Sequence, residues 1–137
     1  MLRQTQPGGP PPTLLLGVGA DPQQAARARA EGADLIDVRG ATPGALAAIR
    51  ASLPAGVLWT GTGADPLDAD RLAAAGAGPG RAGRVTPAAV IATAAVCTWL
   101  GAPVVRSRHT RAVRRAIDMT TSIAGRRPPS RTVRGLA

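Results

Sequence analysis

The sequence predicts an α/β protein of parallel βα units, too short to close an eight-stranded barrel by itself. Two observations carry this. One punctuation recurs along the chain: an apolar run closed by glycine, then Asp or Thr followed by proline, then an alanine-rich stretch that reads as helix. And of the 137 residues only 13–125 have the composition to form a core, which makes one domain and falls well short of the ~250 residues of a (β/α)₈ barrel.

Taken in order, residues 13–19 (TLLLGVG) are the first strand, and Asp21-Pro22 caps and opens a helix that runs to Glu31 and stops at Gly32. Residues 34–39 (DLIDVR) are the second strand. Thr42-Pro43 repeats the helix start, and Pro54 stops that helix after Leu53. Residues 57–63 (VLWTGTG) are the third strand, with Asp65-Pro66 opening a third helical stretch that reaches Ala75. The glycine-rich segment 76–83 (GAGPGRAG) reads as a loop. Thr86-Pro87 then starts a helix to Leu100 that is apolar nearly all round and therefore expected to be buried, closed by Gly101. Residues 103–108 are a fourth strand. The last helix, 110–124, sets Ala112, Val113, Ala116, Ile117, Thr120 and Ile123 on one face and Arg111, Arg114, Arg115 and Asp118 on the other. Strands that alternate with helices through short loops imply parallel pairing and right-handed crossovers.

The flanks read differently. Residues 1–12 hold four prolines and two glycines and look like a flexible leader, while 126–137 carry four arginines with little to bury and look like a basic extended tail. No secretory signal is visible, and the most apolar stretch, 88–100, is far below the ~20 residues a membrane span needs. The single cysteine, Cys97, has no disulfide partner, which points to a reducing, cytoplasmic setting. Net charge is +9, yet all 17 basic residues are arginine and Lys, Asn, Phe and Tyr are absent. A GC-rich genome produces that skew without selection for a polyanion partner. The excess is confined to the last quarter: from Arg106 onward nine arginines meet one acid, and before it eight arginines meet seven.

Parallel sheets gather ligands at the carboxyl ends of their strands. Asp37 and Arg39 lie two apart near the end of the second strand and so share a side, as do Arg106 and Arg108 on the fourth. Facing a common axis, they would set one carboxylate among three guanidiniums, a mouth suited to phosphate or pyrophosphate. Otherwise they pair with one another or reach solvent.

Segment 101–119 (GAPVVRSRHTRAVRRAIDM) resembles the final strand and helix of dihydropteroate synthases, which read glycine-alanine, an apolar strand, Arg-x-His-Asp and a helix. Segment 86–100 is similar to the small, alanine-rich helix before that strand, and 32–40 (GADLIDVRG) resembles the family's second strand. Together these cover about half the chain. The resemblance implies a pterin-binding (β/α)₈ barrel of the folate pathway, which joins a pterin pyrophosphate to p-aminobenzoate and releases pyrophosphate. Arg106 matches the arginine that helps hold the leaving phosphates; Arg108 stands where the family has histidine, and His109 where it has aspartate. The family's Glu-Ser-Thr-Arg loop is missing after Gly40, and with neither Asn nor Lys in the chain its asparagines and its Ser-Arg-Lys element are missing too. Loss of one preorganised group costs around 10²- to 10³-fold in rate. The resemblance thus implies a catalytically impaired relative. Arg106, Arg108 and His109 would contact a pyrophosphate-type anion, Asp37 and Arg39 would line the pterin-side mouth, and magnesium would enter only alongside a pyrophosphate substrate.

The implied architecture for 13–125 is a partial, half TIM barrel. The strand at 57–63 would take either the third or the seventh place, and in the second case four contiguous barrel strands remain with two open edges. Those edges would be covered by a second copy in a homodimer, by a full-length synthase that this chain supports, or by the tails.

Two other readings stand beside this one. The arginine-rich last quarter would suit a phosphate or nucleic-acid surface, although Trp59 and Trp99 are the only rings available for base stacking. Strands like GADLIDVR also occur in other barrel enzymes, which need a lysine, a base or a metal cluster. Here there is no Lys, one Cys and one His, so zinc has no ligand set. His109 would serve as a general base or simply as a hydrogen-bonded loop residue, and Cys97, on an apolar helix, reads as core. The loop at 76–83 would cradle a phosphate or only connect; it fits no nucleotide-binding fingerprint.

Overall fold

The computed structural model describes residues 12–61, 65–76 and 85–127. All but the last residue of the leader 1–12, the end of the expected strand 57–63, most of the loop at 76–83 and the tail 126–137 from residue 128 onward lie outside the described residues. In chain order the elements are β1 (Leu14–Val18), α1 (Pro22–Ala30), β2 (Leu35–Asp37), α2 (Pro43–Ser52), a 3₁₀ turn (Ala55–Val57), β3 (Leu58–Trp59), β4 (Leu67–Asp68), α3 (Ala69–Gly76), α4 (Pro87–Trp99), β5 (Val104–Ser107) and α5 (Thr110–Ile123).

Three helices start where the cap-and-proline signal places them. The side chains of Asp21, Thr42 and Thr86 accept from the backbone N–H groups of Gln24, Ala45 and Ala89 at 2.9, 3.2 and 3.2 Å. Each proline sits where the helix has no use for its missing N–H. Gly32 and Gly101 follow α1 and α4 with φ of +104° and +86°, a conformation that side chains with a Cβ resist.

All strands are parallel, in the order β3-β2-β1-β5-β4. The crossovers from β1 to β2, β2 to β3 and β4 to β5 each step one strand in the same direction. Right-handed connections that always step one way lay every helix on one face of the sheet. The packing agrees. Leu15 and Val105 join residues of α3, α4 and α5 in one buried cluster, and Ile36 joins α1 and α2 in another. Gly17, on the same side of β1 as Leu15 and in register with Ile36, faces both Ala28 of α1 and Thr110 of α5. At Gly19 an added Cβ would come within 2.7 Å of the Ala25 backbone, so glycine lets α1 approach this closely.

Two expectations need correction. The third strand, Leu58–Trp59, lies beside β2 at one edge of the sheet. The opposite edge is formed by Leu67–Asp68, residues assigned from sequence to the third helix. Asp65-Pro66 imitates a helix start, but the cap of α3 is Asp68, whose Oδ1 accepts from the Arg71 N–H at 3.0 Å. Pro66 precedes an edge strand, where its lack of a donor is tolerated. Nor is α4 buried throughout: Val96, Trp99 and Leu100 are 58, 54 and 79% exposed, because nothing among the described residues packs on its outer side.

The packed body also reaches past Gly125. Arg126 donates to the Thr98 and Trp99 carbonyls at the end of α4, and Arg127 pairs with Asp118. No described helix is long and apolar enough to cross a membrane.

Candidate functional site

The sheet face opposite the helices carries Asp37, Arg39 and Arg106 of the residues singled out from sequence. Register fixes its members: Leu16 is level with Arg106, Val18 with Asp37, Asp37 with Trp59, and Asp68 with Arg106. From β5, Arg106 reaches both ways. Its Nε donates to Asp37 Oδ2 at 2.8 Å and its Nη1 to Asp68 Oδ2 at 2.8 Å. Because β1 lies between β5 and β2, the first of these bonds crosses over β1. Leu16, below it, has no exposed surface although no helix among the described residues packs on that side. The guanidinium stem therefore shields an apolar strand while its head stays hydrogen-bonded.

Asp37 is the hub, with 2% of its surface exposed. Besides Arg106 it accepts from Arg39 three times: from the backbone N–H and Nε at Oδ1, both at 3.0 Å, and from Nη2 at Oδ2 at 2.9 Å. Burial works to raise its carboxyl, but the hydrogen bonds from Arg39 and Arg106 outweigh that and hold it below the ordinary carboxylate range. Arg39 in turn lies over the Trp59 ring, 4.3 Å from its centre. The result is a continuous chain, Trp59–Arg39–Asp37–Arg106–Asp68, across the sheet. Its two carboxylates balance its two guanidiniums.

Of the residues marked from sequence, Asp37, Arg39 and Arg106 come together, and they do so by pairing with one another. Arg108 and His109 stand apart and are exposed. Arg108 lines a cleft of about 550 Å³ with Val18, Gln24, Arg27, Glu31 and Thr110, and its backbone N–H donates to Asp70 at 3.0 Å. His109 occupies the cap position of α5 without a side-chain capping bond; its backbone N–H donates to Ser107, whose hydroxyl donates to Asp70 at 2.6 Å. Sequence reasoning missed Asp68 and the partnership of Trp59. The signal for Asp68 was available, because Asp followed three residues later by a helical Arg71 fits the cap rule as well as Asp65 does.

Among the described residues no three His, Cys, Asp or Glu side chains gather as a metal site. Cys97 lies in the core, where burial pushes its thiol up, which suits packing and not nucleophilic attack. The charged chain can instead exchange partners: an incoming anion would compete with Asp37 and Asp68 for Arg106, and a flat ring bearing N–H donors would compete with Arg39 for Asp37. Comparisons of the chain with protein-family models, with curated proteins and with solved structures return no match.

Proposed function

We propose that this chain is a half TIM barrel of the dihydropteroate synthase type that binds a pterin or pyrophosphate-bearing ligand on its helix-free sheet face and does not run the synthase reaction. One observation carries the reading: Arg106, the residue that matches the family's phosphate-side arginine, comes from the last strand to meet Asp37 of the second strand on the face that would line a barrel. The single winding direction supports the same architecture, since a doubly wound sheet would place helices on both faces. The family resemblance supplies the ligand class. Charge balance in the chain of ion pairs means that the ligand must displace a carboxylate, so binding is expected to be weaker than at a site with free arginines.

Titration calorimetry with dihydropterin pyrophosphate, and separately with inorganic pyrophosphate, tests this. The expected result is saturable binding of the pterin compound that Arg106→Ala abolishes while the helical circular dichroism is retained, with no dihydropteroate formed when p-aminobenzoate is added. Absence of binding by the folded wild-type chain would overturn the ligand assignment, and turnover near that of a complete synthase would overturn the claim of impairment.

A further inference from the structure

The outer side of the α4–α5 layer carries two chemistries on one surface. Val96, Trp99 and Leu100 of α4 and Met119 and Ile123 of α5 are each more than half exposed, and together they exceed the apolar surface a monomer ordinarily leaves open, on the order of a few hundred Å². They lie toward the C-terminal ends of two helices that stand side by side: Arg126, just past α5, donates to the Thr98 and Trp99 carbonyls at the end of α4. The other half of the surface differs. On α5, Arg111 and Arg115 precede Met119 and Ile123 at four-residue intervals, and all four are exposed. Neither arginine has a carboxylate partner among the described residues, and Asp118, the one acid of α5, is held by Arg114 and Arg127. On α4, exposed Ala88 and Ala92 precede Val96 and Leu100 at the same intervals. The surface is therefore graded along its length, about 18 Å from Arg111 to Ile123 at the helical rise. One end is cationic and shallow, and the other is apolar and bulky.

We infer that this surface docks an amphipathic helix of another protein, acidic in one half and apolar in the other. Charge selects the acid. The last quarter of the chain holds nine arginines against one acid, so an approaching carboxylate meets a positive field, and two carboxylates one turn apart would reach Arg111 and Arg115. Shape selects the rod. A helix laid along the layer comes close over Ala88 and Ala92, and its apolar residues at three- and four-residue spacing then meet Leu100, Met119 and their neighbours. A lipid surface fits less well, because a bilayer deep enough to take Met119 would draw in Arg115, one turn away on the same stripe, and a guanidinium in the apolar layer is costly. A second copy fits poorly too: each carries +9 and brings its own Arg111 and Arg115 to the contact. The surface lies on the helix side of the sheet, away from Asp37 and Arg106, so the inference is independent of pterin binding.

The probe is a synthetic helical peptide of 14 residues, the length of α5, with two glutamates four residues apart in its first half and leucines at helical spacing in its second. Titrated against the full chain by fluorescence anisotropy, it is expected to bind saturably, with an affinity that falls as salt rises. Reversing both arginines, Arg111→Glu with Arg115→Glu, is expected to weaken binding about 10-fold. A peptide with lysines in place of the two glutamates is expected to recover the affinity on that variant, a gain that misfolding cannot produce. Leu100→Ser with Met119→Ser, at exposed positions without a core role, is expected to weaken binding about 10-fold with the helical circular dichroism unchanged. A folded chain that does not bind the acidic peptide, or binds the lysine peptide as well, overturns the inference. So does a chain that sediments with phosphatidylserine vesicles through Leu100 and Met119, which makes the occupant a lipid surface, or one that reaches a two-chain mass abolished by Leu100→Ser with Met119→Ser, which makes it a second copy.

Discussion

The two faces of this one sheet solve burial differently. On the helix-covered face Leu15, Ile36 and Val105 have no exposed surface because alanine-rich helices press on them, and Gly17 and Gly19 let α1 come close. On the other face Leu16 reaches the same burial with no described helix above it, beneath the bond from Arg106 to Asp37. One face is closed by shape and the other by a hydrogen-bonded chain of ions. Shape failures leave cavities, and ion-pair failures leave a stranded charge, so the two faces should respond differently to substitution.

The largest contrast is expected between neighbours on β1. Leu15→Ala should cost about 3–5 kcal/mol, as a fully buried leucine does, while Leu14→Ala, half-buried on the open face, should cost less than about 1.5 kcal/mol. Urea titration of both variants measures this, and equal losses would mean that Leu14 is as tightly enclosed as Leu15.

Next comes Arg106→Ala, which leaves Asp37 buried with Arg39 as its sole cationic partner. A loss of about 2–3 kcal/mol is expected, below the full value for a buried pair because Arg106 keeps 16% side-chain exposure. Replacing both partners, Asp37→Leu with Arg106→Met, should cost less than the single change, and a double variant less stable than Arg106→Ala would show that the pair itself stabilises the sheet.

Acid sharpens the comparison further. Asp37 has a lowered folded-state pKa, so its contribution is present above the ordinary carboxylate value, ~4, and is lost as pH falls through the folded value. Denaturant midpoints of the wild type should therefore drop more steeply below about pH 4 than those of Asp37→Asn. Parallel curves would place the acid sensitivity elsewhere. The smallest effect belongs to the rim: Arg27→Ala removes an ion pair with Glu31 whose arginine is 80% exposed, and a change within about 0.5 kcal/mol is expected.

Much of this fold was legible because its helix starts are local chemistry. Asp21, Thr42 and Thr86 each satisfy an N–H three residues on, a bond made within one turn of chain. The strand at Leu67–Asp68 was not legible, because two residues set no period and Pro66 suits a helix start and an edge strand equally. In the site, the side-sharing of Asp37 with Arg39 followed from strand alternation. Their closure onto Arg106 depends on β5 and β2 flanking β1, which is a property of topology that spacing cannot encode. The exposure of α4 was hidden for a related reason: apolarity says that a surface wants covering, and not whether the same chain covers it.

The chain's choice of cation has a consequence for any ligand. Every basic side chain except that of His109 is a guanidinium, and His109 stands outside the ion chain. Asp37 is held ionised. With no histidine, lysine or thiol in the ion chain, a ligand that met it above neutral pH would show a pH profile written by its own protons.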